Sequence, residues 1–392
     1  MQPVKKNRLI IEMATSDISI NLLLKARILK MNSLGFNVRG LCSEGGFTEE
    51  LQRENIPLDL ISMSREISPL KDAVALFRLF RFFRKVRPGI VFTHTPKAGI
   101  LGPVAARLAG VPWVVHVAHG FMIHDQAPLK IKILGWIMEK HSAAWSHICL
   151  SQSREDILKA EFYKLISRNR FKYLGNGIDL QKFDPDKGGG EKRRNIRSSY
   201  GFAEDAFVVG FVGRLVQEKG IRELFSAIPK VLSRFPNVRF IIIGPMEPDQ
   251  WDNVSEEEVG RMRTQHNVVF TGFSKNLGDL YSALDLYVLP TYREGVPRAL
   301  MEASAMRVPA IATDIRGCRE VIVPEETGWL VAPRSTQALA EKIIHAVSLP
   351  KETRQEMGDK ARAHIQKRFN ENRVMRRFSR FCQVLLNKLD RK

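Results

Sequence analysis

Two glutamates, Glu294 and Glu302, stand eight residues apart in the stretch REGVPRALMEASAMRVPAIA. The segment PRALMEASAM predicts a helix with Pro297 at its first position, where the missing N–H costs nothing. Glu294 then lies before the helix and Glu302 within it, so the two cannot work as adjacent acid and base on one helical face. An ionised carboxylate only accepts hydrogen bonds, and two of them well apart can each take hydroxyl donors from a sugar. Glu302 also reads as the solvent-facing residue of an amphipathic helix. Gly295 and Val296 would bring backbone N–H groups to the helix start, where anions are favoured.

A second anion-binding pattern is VGFVGRLVQEKGIRELFSAI. Its apolar strand ends at Gly213 and Arg214, and a helix starts after Lys219 and Gly220. A glycine at a strand end admits a ligand to the backbone, and Arg214 and Lys219 could hold a diphosphate from two sides, one by forked hydrogen bonds and one as a point charge. In isolation the fragment reads equally as a strand–turn–helix with two solvated cations. WVVHVAHG delivers His119 and Gly120 to another strand end, and IVFTHTPKAG delivers His94 and Lys97. A lone histidine there is more often structural than catalytic. NGID, from Asn176 to Asp179, has the composition of a turn.

The elements that must carry these residues alternate. Short apolar runs such as RLIIEMA, FNVRGLCS and GIVFTHT alternate with longer helical patterns, and the rhythm restarts with FVVGFVGRL, VRFIIIGP, LDLYVLPT and VPAIATD. Strand–helix–strand order indicates parallel sheets covered by helices. A chain of 392 residues exceeds one comfortable core, so two α/β domains are expected, with a cleft between them as the ligand site. We place them at residues 1–185 and 201–370, with the Gly-rich, charged stretch 186–200 as a linker or surface loop and 371–392 as a basic helix. In that last helix Val374, Phe378, Phe381 and Leu385 recur at helical intervals. In LKDAVALFRLFRFFRKVRP, Leu76, Leu79, Phe80, Phe83 and Val86 share one face, and Phe77, Arg81 and Arg84 share another.

The net charge is +19, concentrated as 27 Lys/Arg against 16 Asp/Glu in residues 1–185 and 13 against 5 in residues 351–392. Such a balance attracts nucleic acid, an anionic membrane or a phosphorylated substrate. Nucleic acid is set aside because no aromatic-basic RNA signature, zinc finger or helix-turn-helix pattern is present. The four cysteines are scattered and read as buried thiols. With no membrane-spanning run and no signal-peptide core behind Lys5 and Lys6, a cytoplasmic location is expected.

Taken together, HGF at 119–121, NGID at 176, VGRL…EKG at 212–220, EGVPRALME at 294–302 and TDIRGCREVI with Gly317 and Glu320 resemble the retaining glycosyltransferases of family 4 over nearly the whole chain. The resemblance implies a GT-B fold of two facing Rossmann-like domains, with a C-terminal helix that crosses back to the first. Arg214 and Lys219 would bind the donor diphosphate, and Glu302 the ribose. Glu294 would contact the transferred sugar near its reacting carbon, and the backbone of Gly213 and of Gly295, Val296 and Pro297 would complete the donor site. His119 would hydrogen-bond the donor sugar, and the loops after IIIGP and FTGF would hold the base.

Many members carry a Gly-Gly pair after the first strand. Here MATSDISINLL stands instead, so Thr15, Ser16 and Asp17 are expected to build that loop and, with His94 and Lys97, to face the acceptor. The implied reaction moves a hexosyl or N-acetylhexosaminyl group, first of all from a UDP-sugar, to a lipid-diphosphate-linked sugar or other carbohydrate acceptor in capsule, O-antigen or exopolysaccharide synthesis. No metal is expected, and the DPD string at 184–186 lies away from the nucleotide site. Configuration would be retained by a same-face route in which the departing phosphate helps deprotonate the acceptor. The basic first domain suggests peripheral attachment to the anionic inner face of the cell membrane. A GT-B nucleotide-sugar epimerase and a non-catalytic nucleotide-sugar-binding protein are the alternatives.

Overall fold

The computed structural model describes residues 8–390 apart from 65, 67, 122–127, 188, 248–251 and 265–266. The chain divides into two compact units, residues 1–175 with 373–392 and residues 176–372. Each is a parallel sheet covered by helices.

The first sheet has seven strands: β1 (Leu9–Ser16), β2 (Asn37–Ser43), β3 (Leu58–Leu60), β4 (Ile90–Thr93), β5 (Trp113–Ala118), β6 (Ile148–Ser151) and β7 (Phe171–Tyr173), ordered β3-β2-β1-β4-β5-β6-β7. The order reverses between β1 and β4. In open parallel sheets ligands bind outside the carboxyl ends of the strands flanking such a reversal. Helices on both faces require strands that are apolar throughout, and β1 is buried over nearly its whole length. Glu12 in its middle is the exception in chemistry though not in burial, being fully buried.

The helix Glu371–Leu389 belongs to this first unit. Met375, Phe378, Cys382, Leu385 and Leu386 enter the same core as Ile10 and Phe92, so the buried face is centred one residue away from the predicted Val374–Phe381 register. Phe378 packs on Phe92 with the rings tilted and their centroids 5.0 Å apart, and Trp113 Nε1 donates to the Leu385 carbonyl at 3.1 Å. On the helix Pro69–Val86, Ala75, Leu79 and Phe83 are buried while Phe77 is 58% exposed beside the solvated Arg81. The predicted basic face therefore lies in solvent.

The second sheet has six strands: β8 (Val208–Val212), β9 (Arg239–Ile243), β10 (Val268–Gly272), β11 (Leu286–Leu289), β12 (Ala310–Thr313) and β13 (Gly328–Val331), ordered β10-β9-β8-β11-β12-β13. Its reversal falls between β8 and β11, the strands that end at Gly213 and at the Glu294 loop.

Two expectations are corrected. The stretch after Asp186 is no loop: Gly189–Ser199 is a helix within the second unit, pinned by Arg193 and Arg197, which share the Asp285 carboxylate at 2.6 and 2.5 Å. Thr15, Ser16 and Asp17 build no loop either, because β1 runs to Ser16 and helix begins at Asp17. All four cysteines are free and buried. Among the described residues no helix is long and apolar enough to cross a membrane.

Candidate active site

At the carboxyl end of β8, Gly213 donates its N–H to the Ile243 carbonyl at 2.9 Å, and Arg214 follows it. The Arg214 guanidinium has no hydrogen-bond or ion-pair partner among the described residues. Lys219 lies in the short 3-10 turn Gln217–Lys219, and Gly220 then caps the helix Ile221–Leu232 with φ 72°. A Cβ at Gly220 would collide with the Pro290 carbonyl, so only glycine lets this turn press against the end of β11. That approach carries Lys219 to Glu294, with which it forms an ion pair whose side chains are 19% and 18% exposed.

The Glu294 loop is held on several sides. Arg293 pairs with Glu218 at 2.6 Å, the Tyr292 N–H donates to the Glu218 carbonyl at 2.8 Å, and Thr313 Oγ1 donates to the Thr291 carbonyl. A Cβ on Gly317 would stand 2.5 Å from the Gly295 carbonyl oxygen and 2.7 Å from that of Glu294, so glycine is required where the helix Arg316–Val321 meets the loop. Glu320, on the same helix, is buried and accepts from Arg368 at 3.2 Å. Helix Arg298–Ala305 starts one residue later than predicted, with Pro297 as its N-cap. Among the described residues the amides of Gly295 and Val296 donate to no protein acceptor, which leaves two N–H groups next in the chain to the Lys219–Glu294 pair.

Glu302 is not the solvent-facing residue of its helix. It is 4% exposed and accepts from Arg298 Nε at 2.9 Å and from the Tyr281 hydroxyl at 3.3 Å. Burial raises its pKa above the usual carboxylate range, and the opposing pull of Arg298 does not cancel that rise. Of the base-binding loops, the one after IIIGP passes through residues 248–251, outside the described residues. DPD is occupied elsewhere: Asp184 pairs with Arg362 at 3.1 Å and Asp186 with Arg307 at 2.6 Å.

The first unit gathers a different set. His119 follows β5, and its Nε2 meets His94 Nδ1 at 2.9 Å, while His94 Nε2 meets Glu12 Oε2. His94 and Glu12 side chains are wholly buried, so His94 stands behind His119 and is not itself open to an acceptor. Burial pushes both histidines below their ordinary value, His119 strongly, with His94, Arg27 and His116 adding to the effect on His119 and a hydrogen bond to the Gln152 side chain opposing it. Burial alone would raise Glu12, but Arg27 and His94 outweigh it and hold the carboxyl below its usual range. Glu12 thus stays ionised beside neutral imidazoles.

Two other acceptor-side candidates are absorbed by the fold. Lys97 is bound to Asp72 at 2.6 Å and to the Glu66 carbonyl at 2.7 Å. Asp17 accepts from the amides of Ile18 and Phe47, both at 2.7 Å, and from Thr48 Oγ1 at 3.0 Å. Ser16 is 3.3 Å from Ser19 Oγ, and with Thr15 and Asp17 it lines a hollow of about 350 Å³ at the carboxyl ends of β1 and β2. A larger hollow of about 670 Å³ lies at the opposite edge of the second sheet, where Arg193 and Arg197 both pair with Asp285.

Residues 28–177 match the glycosyl transferase 4-like domain and residues 192–364 match the glycosyl transferases group 1 family. The chain belongs to the family 4-type glycosyltransferases. Together the two matches span most of its length. It is 29% identical to the capsular polysaccharide biosynthesis glycosyltransferase CapM of Staphylococcus aureus, over 93% of this chain and 94% of that protein. It is also 29% identical to the UDP-Gal:alpha-D-GlcNAc-diphosphoundecaprenol alpha-1,3-galactosyltransferase of Escherichia coli, over 76% of each. Among solved structures, Anabaena Alr3699/HepE in complex with UDP and glucose superposes with a TM-score of 0.81 at 19% identity, covering 95% of this chain and 99% of that one. The fold is GT-B, built from two parallel-sheet α/β units.

Several residues of this glycosyltransferase escaped sequence reasoning. Glu12 carried a signal, a charge inside an otherwise apolar central strand. Arg298 carried one too, four residues before Glu302 on the same helix, whereas Tyr281 near Glu302 and Arg27 beside Glu12 carried none, because their partners come from other elements.

Proposed function

We propose that the protein is a retaining glycosyltransferase that takes a sugar from a nucleoside diphosphate, UDP-linked in the first instance, and adds it to a lipid-diphosphate-linked saccharide during bacterial surface-polysaccharide synthesis. One observation carries the donor half: the unpaired Arg214 guanidinium, Lys219 and the free amides of Gly295 and Val296 share the carboxyl end of β8 and β11. Bond cleavage puts negative charge on the diphosphate, and fixed cations and amides lower the barrier where that charge develops. Glu302, buried with one arginine and one hydroxyl, is suited to accept the ribose hydroxyls. Glu294, beside Lys219, is assigned to the transferred sugar, and His119 to a sugar hydroxyl. The acceptor is assigned to the Thr15–Asp17 hollow.

The substrate classes are supported by relatives whose names specify a capsule, or a UDP-galactose donor with a diphosphoundecaprenol-linked acceptor. Departing phosphate, on the same face as the incoming hydroxyl, is the proposed base. No metal is required in this reading, and transfer should continue in a chelator. Peripheral contact with an anionic membrane through the solvated basic faces accompanies it. Incubation with labelled UDP-sugars and an undecaprenyl-diphosphate-linked saccharide, followed by NMR of the product anomer, tests the reading. An α-linked product from an α-donor is expected, and an altered sugar formed without any acceptor would show an epimerase instead. Failure to pellet with anionic liposomes at low salt would remove the membrane part alone.

A further inference from the structure

Glu12, His94 and His119 form a chain of three side chains from three adjacent strands, β1, β4 and β5, ending at the sheet's carboxyl edge. An ionised carboxylate can only accept, so the hydrogen between Glu12 and His94 belongs to His94 Nε2. A second proton on His94 would add charge to a wholly buried site already holding Arg27, whose Nη1 lies 3.7 Å from Glu12 Oε1. His94 is therefore neutral, and its Nδ1 is bare. The 2.9 Å contact from that nitrogen to His119 must be filled by a hydrogen on His119 Nε2. His119 Nδ1 is then the ring nitrogen that carries no hydrogen.

We propose that Glu12 and His94 are positioning residues that hold His119 in the Nε2–H tautomer, so that it meets a sugar hydroxyl as an acceptor through Nδ1. The Gln152 side chain also hydrogen-bonds His119 and shares in holding the ring. His116 is turned to Thr93 Oγ1 at 3.0 Å, and Phe92 and Phe378 wall the group with rings. The Glu12–Arg27 contact fixes the carboxylate's charge without taking the oxygen that faces His94. This rests on the reading of His119 as a substrate-contacting group in sugar transfer.

The test combines imidazole ¹⁵N NMR of the full-length protein with turnover at saturating donor. Wild type should show His94 and His119 protonated at Nε2 and bare at Nδ1. His94→Leu removes the acceptor facing His119, and should mix its tautomers and lower kcat about 10-fold, the scale of one lost hydrogen bond. His94→Asn keeps a carbonyl oxygen near the position of Nδ1 and should restore both the tautomer and most of the turnover. If His94→Leu leaves the His119 tautomer unchanged, or changes it without slowing transfer, the proposal is wrong. So it is if His94→Asn behaves like His94→Leu. His119→Ala separates the two ideas: full turnover in that variant would remove His119 from the reaction while leaving the tautomer assignment standing.

Discussion

Glu294→Gln should tighten the binding of the nucleoside diphosphate product while slowing transfer. In the unliganded protein Lys219 is held by Glu294, and both side chains are about four-fifths buried. A diphosphate that recruits Lys219 has to share or break that pair and sits near a like charge. Two unit charges at about 4 Å interact by roughly 1 kcal/mol in water and about 4 kcal/mol near a protein surface. For a pair with this exposure about 1–2 kcal/mol is a fair value, so the glutamine variant should bind UDP about 5- to 30-fold more tightly. Transfer moves the other way. As the sugar leaves, positive charge grows at its reacting carbon, and loss of one preorganised electrostatic contact costs about 100- to 1000-fold in kcat. Calorimetry with UDP at fixed ionic strength and single-turnover transfer with the UDP-sugar measure the two effects. If Glu294→Gln weakens UDP binding, or leaves turnover within about twofold of wild type, Glu294 is a structural counter-ion and the division of labour fails.

Glu302→Ala should raise the donor KM about 10- to 100-fold with kcat nearly unchanged, because charge-assisted hydrogen bonds to the ribose are worth about 1.5–3 kcal/mol; steady-state kinetics show it, and a kcat effect without a KM effect would contradict it. Gly317→Ala pushes against the Glu294 and Gly295 carbonyls at 2.7 and 2.5 Å. A displacement on the order of 1 Å should cost about 100-fold in transfer, with a much smaller change in the urea midpoint. His116 is held down to about 4 by burial, with His94 adding to the shift and Thr93 opposing it. The unfolded chain takes up a proton that the folded one refuses, so the stability tied to His116 is complete above about pH 6.5 and is lost as pH falls toward 4. That loss approaches about 3 kcal/mol. Urea titrations at pH 7 and pH 4.5 should differ correspondingly less in His116→Gln.

The donor side was legible because its chemistry is local: Arg214, Lys219 and Gly220 follow one strand within a few residues, and Glu294 and Glu302 bracket one helix start. Sheet type and the helical character of the last segment also follow from patterns a single segment carries, namely apolar strands and the apolar spacing through Phe378, whereas the return of that helix to the first unit was implied by the family resemblance alone. The acceptor side was not legible in this way. Lys97 looks free in sequence, and its partner Asp72 comes from another helix. Asp17 looks like a loop carboxylate, and the Phe47 and Thr48 donors that occupy it come from the start of the helix Thr48–Arg53. The helix Gly189–Ser199 was hidden by its two leading glycines, although EKRRNIRSS behind them has good helix propensity. Glu12 was visible as a charge inside an apolar run, but its histidine and arginine partners come from other elements.

The two buried carboxylates differ in what their surroundings ask of them. Glu12 has a mostly buried arginine and a histidine N–H, so its charge is compensated inside the protein and its pKa falls. Glu302 is almost as buried, but its arginine is 44% exposed and shares its field with water, so burial wins and its pKa rises. A carboxylate whose charge is already satisfied is useful for fixing a neighbour, which is the part given to Glu12 beside His94. One whose charge is under-satisfied gains most from new donors, and hydroxyls arriving at Glu302 should lower its pKa. Donor binding should therefore release a proton from Glu302 at a pH between about 4.5 and its raised folded value, and calorimetry in buffers of different ionisation heat would detect it. A release of the same size in Glu302→Gln would place the proton elsewhere and remove the ribose assignment's electrostatic basis.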